Sequence, residues 1–331
     1  MSALTATSTL ACATPLEEME QFLQQHGSPA ASPWHSMAMP ERIAQLATKR
    51  SRQLLTGPGT ETLLSHRQAE LVGLVCWRRL DWDTEQFGFP AARLDLLTAS
   101  GNRSHATNIK TDLVNDAIRD CRHRGIQHIT ARVDAADLTS VAALEQNGFE
   151  LIDGIQTFSL RLPPPAIAGK GAEEVTIRPY EESDLPQVLR IARSAYVHDR
   201  FHADTALDED KADRINETWV CNSCLGKMAD AVIIASAGDT VLGYVTCRID
   251  KEATDVLGIG CGEIGMVATA ARARHAGIAS AATMGALDWF AAQGVRAVEV
   301  GTQLRNIPAA RLYERCGFRL AAVSLTWRKI V

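Results

Sequence analysis

The sequence predicts an α/β chain made of two tandem copies of one fold, preceded by an N-terminal extension. The first observation is an internal repeat: residues 142–162 (AALEQNGFELIDGIQTFSLRL) align without a gap with residues 311–331 (RLYERCGFRLAAVSLTWRKIV). The second is that apolar runs of strand length alternate with helical periodicity in the same order in both halves. The third is the length of 331 residues, which favours two domains over one.

The elements of the first copy follow from local sequence patterns. The predicted strands cover 71–77, 92–97 and 126–133. A helix is predicted over 107–124, where apolar residues recur every three or four positions, and Gly125 ends it. A shorter helix over 140–147 is closed by Gly148.

The second copy shows the same alternation. The predicted strands cover 175–180, 232–235, 241–249, 264–267 and 295–300. A helix is predicted over 185–196, with Ser183 or Asp184 as its N-cap. A second, Ala-rich helix opens at Gly277.

A proline run followed by Gly and acidic residues (PPPAIAGKGAEE) marks the clearest linker in the chain. The predicted organisation is an extension over 1–62, a first domain over 63–162, the linker over 163–174 and a second domain over 175–331. The extension has helical patterns over 16–25 and 40–55. The sequence leaves open whether it packs on the body or forms a partly disordered tail.

Composition excludes several function classes. The formal net charge of −5 argues against a nucleic-acid partner, which would favour a basic face. The N-terminus lacks a charged region before its apolar residues, so a secretory signal is not expected. Apolar runs of membrane-spanning length are absent from the sequence, so a membrane partner is not expected either. A cytoplasmic enzyme or binding protein is therefore the default expectation.

Cysteine usage points to reduced thiols rather than to a disulfide framework. The eight cysteines are scattered through a large chain. Cys221 and Cys224, with His198 and His202 upstream, raise the alternative of a zinc site. A lone C-x-x-C lacks a second ligand pair and lies in a segment with a helical pattern, so no metal is expected.

The segment 263–331 has the pattern of an anion site, which its counterpart in the first copy lacks. An apolar strand leads into a turn with Arg272 and Arg274, and the turn opens a helix whose first N–H groups are unpaired. Across the repeat, Tyr313 is matched by Leu144 and Asn306 by Asp137. The repeat therefore predicts a scaffold in the first copy and chemistry in the second.

These residues resemble a known family. Residues 274–279 (RHAGIA) fit the acyl-CoA signature Q/R-x-x-G-x-G/A of the GNAT superfamily of N-acyltransferases, and Asn306, Tyr313 and Gly317-Phe318 are similar to its closing motif. A closer resemblance is to bacterial dTDP-fucosamine acetyltransferases, which are double-GNAT chains with a degenerate first copy. It rests on LDWDTEQFG, DRFHAD, IGMVA and VGTQLRNIPAARLY, and it covers roughly residues 70–331.

The resemblance implies two GNAT folds, each a mixed central sheet flanked by helices, and acetyl-CoA as acyl donor without a metal. The residues expected to bind acetyl-CoA are Met266, Val267, Ala268, Arg272, Arg274, His275, Ala276, Gly277, Ile278, Ala279, Asn306 and Leu312. Because the turn between Val267 and Gly277 is long for this superfamily, the pyrophosphate loop is expected to begin late, and the role of Arg272 stays open.

The resemblance also implies N-acetylation of a small-molecule amine, most specifically the amine of a nucleotide-activated deoxyaminosugar. Tyr313 would be the general acid. The base is left open among Glu263, His198, Asp199, His202 and a relay through water. Arg200, Phe201 and His202 are expected either to contact the acceptor or to form a capped loop.

Two other functions remain open at this point. They are acylation of another small amine, such as an antibiotic or secondary-metabolite intermediate, and a non-catalytic acyl-CoA-binding module. The resemblance is compatible with a homodimer.

Overall fold

The computed structural model describes residues 7–10, 14–27, 33–164, 175–196 and 200–331. Within these ranges the chain divides into two compact units. The first is drawn from Met1–Ala31, Ala44–Gly154 and Val323–Val331, and the second from Ser32–Ile43 and Ile155–Ala322. Among the described residues, no helix combines the length and apolarity needed to cross a membrane.

The first unit is a mixed sheet with helices. Its strands are β1 (Thr7–Leu10), β2 (Thr60–Arg67), β3 (Glu70–Arg79), β4 (Ala91–Ala99) and β5 (His128–Asp134), and its helices are α1 (Leu16–His26), most of α2 (Pro40–Thr56), α3 (Asp81–Phe87), α4 (Arg103–His123) and α5 (Leu138–Gln146). Strands β1 to β4 pair antiparallel in sequence order, and β4 pairs parallel with β5. The sheet is completed by residues 324–330, which pair antiparallel with β5.

The second unit has the same plan. Its elements are the second half of β6 (Glu150–Arg161), β7 (Thr176–Pro179), α6 (Leu185–Ala195), α7 (Arg200–Ala203), α8 (Glu209–Cys224), β8 (Ala231–Ala237), β9 (Thr240–Ile249), α9 (Lys251–Leu257), β10 (Cys261–Thr269), α10 (Ile278–Ala292), β11 (Ala297–Gln303), α11 (Ile307–Arg315) and the start of β12 (Arg319–Ile330). Strands β7 to β10 are antiparallel, β10 pairs parallel with β11, and β11 pairs antiparallel with β6.

The internal repeat is visible element by element. Helix α3 corresponds to α9, β4 to β10, α4 to α10, β5 to β11, and α5 to α11. The repeat-related glycines Gly148 and Gly317 both have a left-handed backbone, with φ of 69° and 91°. Glycine adopts this conformation without steric cost, so each residue ends its helix and returns the chain to the sheet.

Strands β6 and β12 are each divided between the two units. The first unit takes Val323–Val331 from the end of the second repeat, and the second unit takes 155–161 from the first repeat. The compact units therefore separate within β6 and not at 163–174. Most of that expected linker, 165–174, lies outside the described residues, and a domain boundary there stays a prediction.

Two cores cover the two faces of the second unit's sheet. Helices α10 and α11 pack on the face that presents Val245, Cys247, Ile264 and Val298. Helices α6 and α8 pack on the opposite face, which carries Val232, Ile234 and Tyr244. The alternation of side chains along β8 and β9 places these two sets on opposite faces of one sheet.

The helices predicted in the extension are present as α1 and α2, close to their expected bounds. Strand β2 and the short helices α3 and α9 were not predicted. Helix α6 has Asp184 as its N-cap, one of the two expected residues. The Asp184 carboxylate does not cap α6 but accepts two hydrogen bonds from Arg178, each at 2.7 Å.

Candidate active site

Strands β10 and β11 separate in the middle of the second unit's sheet. Their parallel pairing covers Cys261–Ile264 and Ala297–Val300 only. Beyond this point β10 stays paired with β9 up to Thr269, and β11 stays paired with β6 up to Gln303. Because each strand follows its outer neighbour, a gap opens between them on the C-terminal side of Ile264.

The backbone of β10 is irregular where the gap begins. The register with β9 shifts between Ile264 and Val267, and the Met266 N–H donates to Thr246 Oγ1 at 2.9 Å. Past the shift, the Ala270 N–H donates to the Leu242 carbonyl at 2.8 Å. Since hydrogen-bonded and non-bonded pairs alternate along an antiparallel ladder, the Val267 N–H points away from β9 and toward the gap.

The turn after β10 presents unpaired backbone donors. His275 and Gly277 have left-handed φ angles of 65° and 78°, and Gly277 is the N-cap of α10. No side chain caps this helix, and its first backbone hydrogen bond runs from the Ala281 N–H to the Gly277 carbonyl at 3.0 Å. The N–H groups of residues 278–280 therefore have no acceptor within the helix.

The repeat offers an internal comparison for this turn. Helix α4, the counterpart of α10, has Asn102 as its N-cap, and the Asn102 side chain accepts a hydrogen bond from the His105 N–H at 3.0 Å. In α10 a glycine stands at that place and leaves the donors open. The difference supports an anion site at α10 and not at α4.

Side chains around the turn divide into exposed residues and buried anchors. The exposed ones are Arg272, Arg274, His275, Ala276 and Gly277. Ala273 and Ile278 are buried in the core beneath α10 and hold the turn on the sheet. Ala279 is half-buried.

Asn306 and Leu312 have structural contacts in α11. Asn306 is the N-cap of this helix, and its Oδ1 accepts a hydrogen bond from the Ala309 N–H at 3.2 Å. Its repeat counterpart Asp137 caps α5 in the same way. Leu312 is buried in the core. These contacts account for both side chains without a ligand, and their expected contact with acetyl-CoA stays a prediction.

Tyr313 is buried in the core beside β11. It is 4% exposed, and its ring lies 5.9 Å from that of Phe158 and 6.0 Å from that of Phe318. Burial, together with the neighbouring Cys316 thiol, raises the pKa of Tyr313 above that of a free phenol. The phenol is therefore protonated at neutral pH, as a general acid must be.

Two tyrosines that the sequence patterns did not single out pack against Met266 and Ala268 of β10. Tyr244 on β9 is directly opposite Ala268 of β10, and Tyr196 follows the last residue of α6. The hydroxyls of Tyr196 and Tyr244 are 3.0 Å apart. The only sequence signal that could have singled out Tyr196 and Tyr244 is that tyrosine is scarce, since the chain has four tyrosines.

Glu263 takes part in an ion pair across two strands. Its carboxylate accepts hydrogen bonds from Nη2 of Arg248 on β9 and from Nε of the same residue at 3.1 Å. On its other side, Glu263 is in register with Glu299 of β11. One guanidinium thus lies beside two carboxylates, which compensates part of their repulsion.

The segment expected to contact the acceptor is packed against α8. Phe201 is 2% exposed, and its ring meets Trp219 edge-on at 6.0 Å. His202 Nε2 lies 3.1 Å from Asp213 Oδ1. The Arg200 side chain lies outside the part of the chain that is described, as do the candidate bases His198 and Asp199.

The thiols that raised the alternative of a metal site lie on α8. Cys221 and Cys224 are both half-buried and reduced, and burial raises the pKa of Cys224 to about 11. No group of three or more potential metal ligands occurs among the described residues.

A sheet with two separating strands and an uncapped helix at the end of one of them is the arrangement expected for an acyl-CoA-dependent transferase. Residues 186–318 match the acetyltransferase (GNAT) family. This part of the chain is a GNAT acetyltransferase domain, and the protein is an acyltransferase enzyme. The predicted family and enzyme class are confirmed.

Two curated proteins are similar in sequence. One is the dTDP-fucosamine acetyltransferase of Escherichia coli O6:H1 (strain CFT073), which is 29% identical over 190 residues, 57% of this chain and 75% of that protein. The other is the spore coat polysaccharide biosynthesis protein SpsD of Bacillus subtilis (strain 168). It is 28% identical over 192 residues, 57% of this chain and 62% of that protein.

A solved structure resembles the chain over nearly its whole length. It is a tandem GNAT protein from the clavulanic acid biosynthesis pathway, with a TM-score of 0.58 and 14% identity, and the match covers 98% of both chains. At this level of identity the likeness concerns the fold. The predicted α/β fold with two tandem GNAT-like copies is confirmed.

Proposed function

We propose that the protein transfers an acetyl group from acetyl-CoA to the primary amine of a nucleotide-activated deoxyaminosugar. The observation that carries the transfer chemistry is the gap between β10 and β11, which has the uncapped N-terminus of α10 at the end of β10 and the buried Tyr313 beside β11. The acceptor class is supported by similarity to a relative named dTDP-fucosamine acetyltransferase.

In this proposal the turn before α10 binds the pyrophosphate of acetyl-CoA. The N–H groups of 278–280 and the positive end of the helix dipole favour a negative charge there. Arg272 and Arg274 are exposed beside the turn and would add charge-assisted hydrogen bonds. The left-handed Gly277 shapes the turn so that the donors converge.

The thioester would lie along β10 in the gap. The Met266 N–H already donates a hydrogen bond to Thr246. Val267 is therefore the residue whose N–H is directed into the gap. A donor fixed at this place would stabilise the carbonyl oxygen as it gains charge during attack by the amine. Ala268, the next residue of β10, lies on the same face of the sheet as Tyr244.

Tyr313 would protonate the departing thiolate. An ordinary phenol has a pKa of about 10 and an ordinary thiol about 8.5, so this transfer is uphill in water. Burial raises the pKa of Tyr313 further. The thiolate forms in the same apolar surroundings, however, and desolvation raises its pKa as well, so the mismatch is reduced.

Glu263 is kept in this proposal as the candidate base that attracts the amine. It lies on β10 just before the gap, with Glu299 beside it, and two carboxylates favour a cationic amine near them. Its carboxylate is held by the Arg248 guanidinium on β9. Proton release through water is the alternative.

A panel assay tests the proposal. Thiol release from acetyl-CoA would be measured with dTDP-linked 4-amino-4,6-dideoxysugars, free aminosugars and simple amines. We expect the highest kcat/KM with a nucleotide-linked aminosugar. A higher kcat/KM with an unrelated amine would contradict the acceptor assignment, and tight acetyl-CoA binding without turnover on any amine would indicate a non-catalytic acyl-CoA-binding module.

A further inference from the structure

A buried lysine joins two helices of the first unit. Lys110 on α4 is 5% exposed, and its Nζ donates hydrogen bonds to the two carboxylate oxygens of Asp137 at 3.1 and 2.9 Å. It also donates to Thr139 Oγ1 at 2.8 Å and to Ser140 Oγ at 2.9 Å. Both hydroxyls donate in turn to the Asp137 carboxylate at 2.7 Å. These four side chains, the Lys110 clasp, form a closed network between α4 and the start of α5.

The clasp contains a buried pair of charges. Burial alone would raise the pKa of Asp137, but hydrogen bonds from Ser140, Thr139 and Lys110 outweigh this effect and lower that pKa. Asp137 is therefore ionised at neutral pH and pairs with the Lys110 ammonium. Because separating a buried charge pair is costly, the clasp holds α4 and α5 together.

The second unit replaces every residue of the clasp. In the ungapped register that aligns Gly148 with Gly317, the ends of α4 and α10 coincide, as do both ends of α5 and α11. In the order Lys110, Asp137, Thr139 and Ser140, the counterparts in this register are Ala279, Asn306, Pro308 and Ala309. Alanine and proline side chains have no polar atom, and the asparagine amide is uncharged, so these residues cannot form the same network.

The two helix pairs also differ in how closely they pack. Helices α4 and α5 contact each other extensively, whereas α10 and α11 make little contact with each other. Ala279 is half-buried in the first turn of α10, directly after the turn that is proposed to bind the pyrophosphate, and Asn306 begins α11. The two helices therefore stand further apart beside that turn than their counterparts do in the first unit.

We propose that the Lys110 clasp keeps acyl-CoA out of the first unit, and that the small, uncharged side chains at 279, 306, 308 and 309 keep the equivalent space of the second unit open for the arm of acetyl-CoA. A lysine at 279 tied to an aspartate at 306 would lie across the path from the pyrophosphate turn to the gap. One chain therefore binds one acetyl-CoA. The inference rests on the proposed function, in which the turn before α10 binds the pyrophosphate.

Transfer of the charge pair into the second unit tests the inference. Ala279→Lys combined with Asn306→Asp is expected to weaken acetyl-CoA binding at least about 100-fold in a calorimetric titration, because the tied ammonium fills the path. Ala279→Lys alone leaves the ammonium free to turn to solvent and should keep the Kd within about tenfold. Asn306→Asp alone adds a negative charge and should weaken binding by less than the double variant.

The double variant separates a steric effect from an electrostatic one. If only charge mattered, the new lysine would offset the new aspartate, and the double variant would bind acetyl-CoA better than Asn306→Asp alone. That result would overturn the inference. Ala291→Lys, at an exposed position near the other end of α10, is the matched control and should leave the Kd unchanged.

The natural clasp is tested in place with Lys110→Met. This variant should lower the midpoint of thermal unfolding by at least about 5 °C, because the Asp137 carboxylate loses its charged partner. The Kd for acetyl-CoA should stay that of the wild type. Unchanged stability, a weakened affinity of Lys110→Met, or two acetyl-CoA molecules bound per wild-type chain would each overturn the inference.

Failure of the inference can be told from failure of the proposed function. Gly277→Val alters the turn before α10 without touching the space between α10 and α11. If Gly277→Val binds acetyl-CoA normally, the proposed cofactor site is wrong. If Gly277→Val is impaired and the double variant with Ala279→Lys and Asn306→Asp binds normally, only the role of the clasp is wrong.

Discussion

The ring of Phe158 lies 5.9 Å from the ring of Tyr313, with the two planes inclined by 58°. Phe158 is on β6, so it comes from the first repeat, whereas Tyr313 is on α11 of the second. Both are buried in one core of the second unit. The repeat that lacks the proposed catalytic residues thus supplies a ring that packs against the proposed acid.

Replacing Phe158 is therefore expected to affect turnover as well as stability. Phe158→Ala should lower the free energy of unfolding by about 3–5 kcal/mol and also lower kcat, because the Tyr313 ring loses a neighbour that fixes its position. Phe290→Ala removes an equally buried ring from the same core and serves as the control. Equal kcat values for the two variants, measured well below their unfolding temperatures, would contradict a positioning effect of Phe158.

Replacing Tyr313 separates chemistry from binding. Tyr313→Phe should lower kcat at least about tenfold, a lower bound set below the roughly 100- to 10,000-fold that general acids contribute, while the Kd for acetyl-CoA stays near that of the wild type. Burial raises the pKa of Tyr313, so its ionisation should not cause a loss of activity between neutral and moderately alkaline pH. Stopped-flow thiol release and calorimetric titration give the two quantities. A normal rate would remove Tyr313 from the mechanism.

Two glycines with the same backbone geometry allow a matched test of the anion site. Gly277 and Gly294 both have φ of 78°, and at both positions the place that a Cβ would take has no other atom within 4 Å. Valine at either place costs similar backbone strain, about 1–2 kcal/mol or more for a β-branched residue. Only Gly277→Val should weaken acetyl-CoA binding, since only Gly277 shapes the turn before α10. Equal affinity in both variants would move the pyrophosphate elsewhere.

The bond between Asp184 and Arg178 predicts a pH dependence of stability. Hydrogen bonds from Arg178 lower the pKa of Asp184 below its ordinary value. The pair therefore adds stability above about pH 4, where the unfolded chain is ionised, and this contribution is lost as the pH falls through the lowered pKa. Asp184→Asn should cost about 1–3 kcal/mol at neutral pH, and the deficit should shrink in acid.

Denaturant unfolding from neutral to acidic pH would measure this deficit. Asp288→Asn, at an exposed site on α10, should have the stability of the wild type throughout. A deficit of Asp184→Asn that is constant with pH would mean that the charge of Asp184 contributes nothing.

Much of the fold could be predicted because it is local. Gly148 and Gly317 end equivalent helices through the same left-handed conformation, and the ungapped repeat around them already indicates a duplicated unit. The turn before α10 could also be predicted, since Gly277 and its arginines follow an apolar strand. The repeat comparison singled out Tyr313, but its role as general acid came only from the family resemblance. Its burial and its contact with Phe158 depend on β6, far away in sequence.

The other features of the fold and the site depend on contacts between distant parts of the chain, which local sequence patterns do not show. The division of β6 and β12 between the two units keeps the hydrophobic alternation of both strands unchanged, so the sequence shows two consecutive copies. Tyr196 and Tyr244 meet because α6 ends over β9, and the sequence spacing of these residues has no meaning by itself. Asn306 was expected at the acetyl-CoA site, and its N-cap role was not foreseen although Asp137 occupies the equivalent position.

The division of β6 has a consequence for the independence of the two halves. A chain that begins at Val175 lacks the strand that holds β11 along its whole length and leaves residues 324–330 without β5. We therefore expect 175–331 alone to be inactive and to unfold without cooperativity, and we expect activity to return when it is refolded with 1–164. Cooperative unfolding and full turnover of 175–331 alone would contradict this. The second half carries the proposed chemistry, but we expect that it cannot be inherited or recombined as an independent module, because its sheet includes residues 155–161 of the first repeat.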